Sequence, residues 1–150
     1  MGRLNCLLPA LALSAVAQIC SAQEAVIGYI KTVEGDATVL VAGKIQKAQA
    51  GTPVQLGNVL KTGKSGGMGV TFKDNTIMSL GPDTEISVDE FVYAPGTGDL
   101  RLGAAMAKGT LNYVSGVIAK LRPEAVTIKT PTGTIGIRGT HFLAKVEAKD

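Results

Sequence analysis

The chain has 150 residues, enough for one domain with a core of its own, and its 45% hydrophobic and 18% charged residues mark it as globular rather than disordered or fibrous. Formal net charge is only +3, the lysines and arginines are scattered, and three Tyr and three Phe with no Trp give no stacking platform beside them, which excludes nucleic acid as a partner. A single His, with the two cysteines Cys6 and Cys20 both near the N-terminus, excludes thiol–imidazole catalysis and a zinc cluster, so no metal and no cofactor is expected.

Arg3 is followed by the apolar run Leu4 to Ile19 and then by Cys20-Ser21-Ala22, the basic start, apolar middle and small-residue end of a secretory signal peptide. The pattern predicts a signal peptide over residues 1–22, cleavage before Gln23, and a single domain over residues 23–150. The run is shorter than the roughly 20 residues that span a bilayer and carries Pro9, Ser14 and Gln18, so no membrane span is expected after cleavage. Ala17-Gln18-Ile19 ahead of Cys20 does not read as a lipoprotein site. Both cysteines leave with the signal, so the mature chain has no disulfide to hold it. Loss of Arg3 takes the 15 basic residues to 14, against 12 acidic ones.

From there apolar residues recur at a period of two between closely spaced turn signals, in a composition rich in Val, Ile, Thr and Gly. Ala25 to Val33 reads as a strand, Gly35-Asp36 as a tight hairpin turn, and Ala37 to Ala42 as the partner strand, closed by Gly43. A polar stretch follows. Pro53 to Leu56 and Asn58 to Thr62 flank Gly57, Gly63 to Gly67 makes a corner, and Met68 to Phe72 is extended. Asp74-Asn75 turns the chain into Thr76 to Leu80, and Gly81-Pro82-Asp83 turns it again. From Thr84 the alternation predicts Ile86 and Val88 inward with Glu85, Ser87 and Asp89 outward, continuing through Phe91 to Tyr93. Ala94 to Asp99 is a surface loop, after which Leu100 to Leu102 and Met106 to Tyr113 are extended. Val114, Val117, Ile118 and Leu121 fall at helical spacing before Arg122-Pro123, which predicts a short helix over Ser115 to Leu121. Gly63, Gly81 and Gly133 sit at corners where the chain reverses, and any of them that holds a positive φ requires glycine.

The most specific stretch is the last, Lys129 to Phe142: K-T-P-T-G-T-I-G-I-R-G-T-H-F. Thr130-Pro131-Thr132-Gly133 is a turn, since proline fixes φ and forces Thr130 into extended backbone. The strand expected after it would set Ile135 and Ile137 on one face and Gly136, Arg138 and Thr140 on the other, leaving one guanidinium in a row of nearly bare backbone.

This stretch resembles the signature near the end of the FecR domain. The resemblance extends upstream through Gly28 to Ala37, Gly51 to Gly63, Val70 to Thr84 and Lys108-Gly109-Thr110. It favours a short β-helix-like roll, in keeping with the all-β pattern, and implies a periplasmic module with a sensing or scaffolding role. Regulators of this kind carry a cytoplasmic sigma-factor-binding segment and a membrane helix ahead of the domain. This sequence opens on a signal peptide instead, so an anti-sigma activity is not carried over.

Candidate chemistry is sparse. His141 directly follows Thr140, so in a strand the two point to opposite faces and cannot make a nucleophile–base pair. Asp83 with Glu85, and Asp89 with Glu90, read as solvated strand edges rather than a glycosidase dyad. The candidates are therefore Thr130, Pro131, Gly133, Gly136, Arg138, Gly139, Thr140 and His141, as structural or partner-binding residues. For Arg138 two readings stand: a buried or half-buried guanidinium held by a carboxylate such as Asp74 or Asp89 or by strand-end carbonyls, which the flanking glycines favour, or a grip on a partner's carboxylate. The expected function is non-catalytic binding of another envelope protein. The alternative, a carbohydrate- or cell-wall-binding module, is weakened by the absence of Trp and the presence of only Tyr29, Tyr93 and Tyr113.

Overall fold

The computed structural model describes residues 24–148; the signal-peptide reading falls on residues 1–22, outside them. The fold is all-β, with twelve strands: β1 Val26–Glu34, β2 Ala37–Val41, β3 Lys44–Lys47, β4 Pro53–Gln55, β5 Val59–Thr62, β6 Gly67–Phe72, β7 Ile77–Leu80, β8 Glu85–Ala94, β9 Asp99–Val114, β10 Val126–Thr130, β11 Gly133–Gly136 and β12 His141–Val146. The expected helix forms as α1, Val117–Leu121, which buries Ile118 and Ala119 and is followed by one 3₁₀ turn at Pro123–Ala125.

The roll takes the form of a curled antiparallel half-barrel. One leaf holds β4, β1, β6 and β7; the other holds β3, β2, β5 and β8. The long strand β9 belongs to both. Its first half pairs with β8 and, in parallel, with β10; its second half pairs with β7 and β12. Alternate residues of both leaves point into one core. Val39, Leu60, Ile86 and Val88 come from one side, and Ile30, Val70, Phe72, Met78 and Leu111 from the other, all at most 2% exposed. Each such side chain contributes on the order of 1.5–3 kcal/mol of burial.

The inward phase of β9 changes along its length. Leu100, Leu102, Ala104 and Met106 are buried at even positions, Leu111 and Tyr113 at odd ones. An extra residue achieves this, because Ile86 faces Met106 while Glu85 faces Lys108, leaving Ala107 as a bulge. Gly109 follows at φ 101°, where only glycine sits without strain.

Where the chain passes from one leaf to the other, its corners stack into a seam. The Gly63 amide donates to the Asp36 carbonyl (2.8 Å), the Asp83 amide to the Gly63 carbonyl (2.9 Å), and the Gly81 amide to the Thr110 carbonyl (3.0 Å). Two buried threonines lock it. The Thr62 hydroxyl donates to the Gly81 carbonyl (2.6 Å) and accepts the Thr84 amide (2.9 Å); the Thr84 hydroxyl donates to the same carbonyl (2.9 Å) and accepts the Thr110 amide (3.0 Å).

Several local expectations are corrected here. Gly35-Asp36 is not a hairpin: β1 pairs with β4 and β6, β2 with β3 and β5, and the dipeptide carries the chain between leaves. The real hairpin is one turn later, at Ala42 (φ 48°) and Gly43 (φ 80°), joining β2 to β3 across what reads as a polar stretch. Of the expected surface loop Ala94 to Asp99, residues 95–98 form an exposed four-residue turn, while Ala94 and Asp99 are the closing pair of the hairpin of β8 and β9. Gly63, Gly81 and Gly133 do not hold positive φ. Gly63 and Gly81 are needed for closeness instead, since a Cβ on Gly63 would lie 3.0 Å from that of Asp36 and one on Gly81 would strike the Thr110 hydroxyl.

Candidate surface site

The Asp74 corner is built inward. Asp74 is fully buried, and its carboxylate accepts the Thr76 amide (3.1 Å), the Thr76 hydroxyl (2.8 Å) and the Ile118 amide (3.2 Å), while its carbonyl accepts the Val117 amide (2.7 Å). Those bonds satisfy the first free amides of α1. A Cβ on Gly116 would collide with the Asp74 carbonyl and with Thr76. Above the corner lies Tyr113, stacked on Phe142 at 5.0 Å, with its hydroxyl buried near Thr76 and Ser115 but, among the described residues, in hydrogen-bond geometry with no group. Burial is the main cause that pushes the Tyr113 pKa above the ordinary tyrosine value.

Arg138 is not part of that network. Its side chain is exposed and, among the described residues, makes no ion pair and no hydrogen bond. Asp74 is committed to Thr76 and α1, and Asp89 accepts the Ser87 hydroxyl (2.9 Å). The expectation of a buried, carboxylate-held guanidinium is therefore not met. The strand expected to carry it also ends early: β11 stops at Gly136, and residues 137–140 form a loop before β12. That loop is pinned at both sides. Ile137 is buried, the Ser115 hydroxyl donates to the Gly139 carbonyl (2.7 Å), and the Ser115 amide donates to the Thr140 carbonyl (2.8 Å). Arg138 is thus the outward residue of an anchored loop.

Thr130 to Gly133 forms the expected turn, now seen to link β10 to β11, with the Thr130 hydroxyl donating to the Gly133 carbonyl (3.0 Å). Pro131, Gly133, Gly136, Gly139 and Thr140 are exposed. A Cβ added at Gly133, Gly136 or Gly139 would meet nothing within 4 Å. His141, at the start of β12, is exposed and its ring Nε2 meets the Asn112 side-chain oxygen across the strand pair. A groove of about 390 Å³ runs beside β11 between Pro123, Glu124, Val126, Thr127, Ile137 and Arg138. A second, of about 340 Å³, lies beyond the turn, between Thr130, Pro131, Ile135, Lys145 and Val146.

Asp83, Glu85 and Glu90 are engaged in surface ion pairs, whereas Asp89 holds the Ser87 hydroxyl. Asp83 meets Lys108 at 2.7 Å, raising the lysine's pKa through that hydrogen bond, and Glu85 meets Lys61 at 3.3 Å. Glu90 and Asp99 share Arg101 at 3.0 and 3.3 Å. Among the described residues no three His, Cys, Asp or Glu side chains gather as metal ligands, and no helix is long and apolar enough to cross a membrane. What sequence reasoning missed is that β11 is an edge strand, because edge position depends on which strands pair.

The fold is thus an all-β roll that carries its most distinctive segment on the surface. The chain belongs to the FecR family: the family model described as FecR protein matches residues 58–150, from just before β5 onward. It is a family of regulatory, sensing domains of the cell envelope. No curated protein and no solved structure matches the chain. Strands β1 to β4 precede the matched part, yet β1 pairs with β6 and β2 with β5, so they are integral to the same sheet.

Proposed function

We propose that this chain is an exported, periplasmic protein-interaction domain of the FecR type, which senses or scaffolds by binding another envelope protein and catalyses nothing. The observation that carries this reading is the outward placement of the last motif. Its glycines open onto empty space and its guanidinium has no partner among the described residues, so the chemistry of the segment faces away from the core. The glycan-binding alternative draws less support: of the three tyrosines only Tyr29 is exposed, Tyr93 is half-buried and Tyr113 is fully buried, which leaves no aromatic platform.

Export rests on the Arg3, Leu4 to Ile19, Ser21-Ala22 pattern, and mass spectrometry of the protein from the periplasmic fraction should find Gln23 or a near neighbour at its N-terminus, without lipid. A protein that keeps Met1 in the membrane fraction would refute it. For binding, a cross-linking pull-down from periplasm should recover a discrete partner with wild type and markedly less with Arg138→Ala, at unchanged melting temperature. Equal recovery by both would remove Arg138 from the interface.

A further inference from the structure

Four strands among the described residues pair on one side only: β3, β4, β11 and β12. An unpaired edge is a template for another strand, and folded proteins usually blunt it with lysine, with proline or by brevity. All four are short, at three to six residues, and three of them also carry lysine or proline. Lys44 and Lys47 end β3, β4 has three residues beginning at Pro53, and β12 carries His141 and Lys145. The fourth, β11, reads Gly133-Thr134-Ile135-Gly136, with neither charge nor proline.

Building on the protein-binding reading above, we infer that β11 is a strand-addition site that takes an extended segment of a partner protein, one bearing a carboxylate that pairs with Arg138. Strand addition uses main-chain bonds for affinity and side-chain pockets for selection. The two-residue connection at Pro131-Thr132 makes Thr130 and Gly133 the closing hydrogen-bonded pair of the hairpin, so alternation turns the peptide groups of Thr134 and Gly136 outward. The missing side chains at Gly133 and Gly136 let an incoming backbone lie flat against the edge. Ile135 packs inward against Ile128, which keeps the strand seated. Just beyond Gly136 the groove floored by Val126 and Ile137 accepts an apolar side chain. At its mouth Glu124 lies near Arg122 (3.8 Å), which leaves Arg138 as the charge unmatched among the described residues and selects an acidic segment over a basic one.

Display of random heptapeptides against the full-length protein supplies the probe. Enriched sequences should carry Asp or Glu beside alternating β-branched residues, and the selected peptide should shift and protect the Thr134 and Gly136 amides of isotope-labelled protein. Thr134→Pro, which removes an outward donor, should weaken that peptide at least about tenfold. Arg138→Glu, which leaves the backbone untouched, should weaken it similarly, and a peptide with Lys in place of its acid should bind Arg138→Glu better than wild type. Full-affinity binding by a folded Thr134→Pro variant, perturbed amides confined to another surface, no enrichment at all, or self-association through β11 would each overturn the assignment. If such peptides fail while the periplasmic pull-down still recovers a partner, the strand-addition site falls and the binding function stands; if both fail, the function falls with it.

Discussion

The seam and the last motif belong to one family pattern, yet the fold treats them in opposite ways. At the seam, Thr62-Gly63, Gly81-Pro82-Asp83-Thr84 and Lys108-Gly109-Thr110 meet one another: hydroxyls satisfy carbonyls and amides, glycines let backbones touch, and Lys108 pairs with Asp83. Each residue type there has an internal reason. In the last motif, Ile137 fills the core and the Gly139 and Thr140 carbonyls are bonded to Ser115, but Gly133, Gly136 and the Arg138 side chain touch little or nothing. A sequence motif can therefore be written by the fold or left unexplained by it, and only the second kind directs attention outward.

Substitutions should separate the two regions sharply. The largest effect is expected at the seam: Gly109→Val places a branched side chain at φ 101° against Thr84, and should cost about 3 kcal/mol or prevent folding, read as the denaturation midpoint. Thr84→Val keeps the shape and removes the hydroxyl that links Gly81 to Thr110, for an expected loss of roughly 1–3 kcal/mol. An unchanged midpoint for both would deny the seam its structural purpose.

Tyr113 is an intermediate case, a buried group whose polar end is unsatisfied. Tyr113→Phe should be neutral or stabilising by up to about 1 kcal/mol, since no hydrogen bond is lost. Because burial raises the folded-state pKa, the neutral phenol's contribution is complete below the unfolded value near 10 and is lost as pH rises from there through the folded pKa. Wild type should therefore lose more stability than Tyr113→Phe in melts taken across that alkaline range. Parallel decline in the two proteins would mean that other groups govern it.

The smallest effects belong to the last motif. Gly136→Ala and Arg138→Ala should each stay within about 0.5 kcal/mol of wild type, because among the described residues neither is packed or paired. A drop of several degrees in either melt would return the segment to the fold.

These contrasts also show what was legible in the sequence. The alternation at Ile86 and Val88 gave the correct strand face, since burial periodicity is a local signal; the spacing of Val117, Ile118 and Leu121 found the helix but not its face, which buries Ile118 and Ala119 and leaves Leu121 exposed. Lys44–Lys47 was invisible as a strand because all four residues are exposed and no alternation marks them. Gly35-Asp36 misled because a turn dipeptide fixes the bend but not the partner, and both flanking strands pair with strands far along the chain. The last motif was identifiable by its residues, whereas the exposure of Arg138 depended on the backbone leaving the sheet at Gly136.

The sharing of β9 between leaves has a consequence for amide exchange. Its halves are flanked by β8 and β10 and by β7 and β12, so neither leaf can open at its centre without breaking the same strand. Amides of Leu102, Ala104 and Leu111 should exchange only through whole-molecule unfolding and at one common free energy, while those of β3, bonded on one side and exposed throughout, exchange by fraying long before.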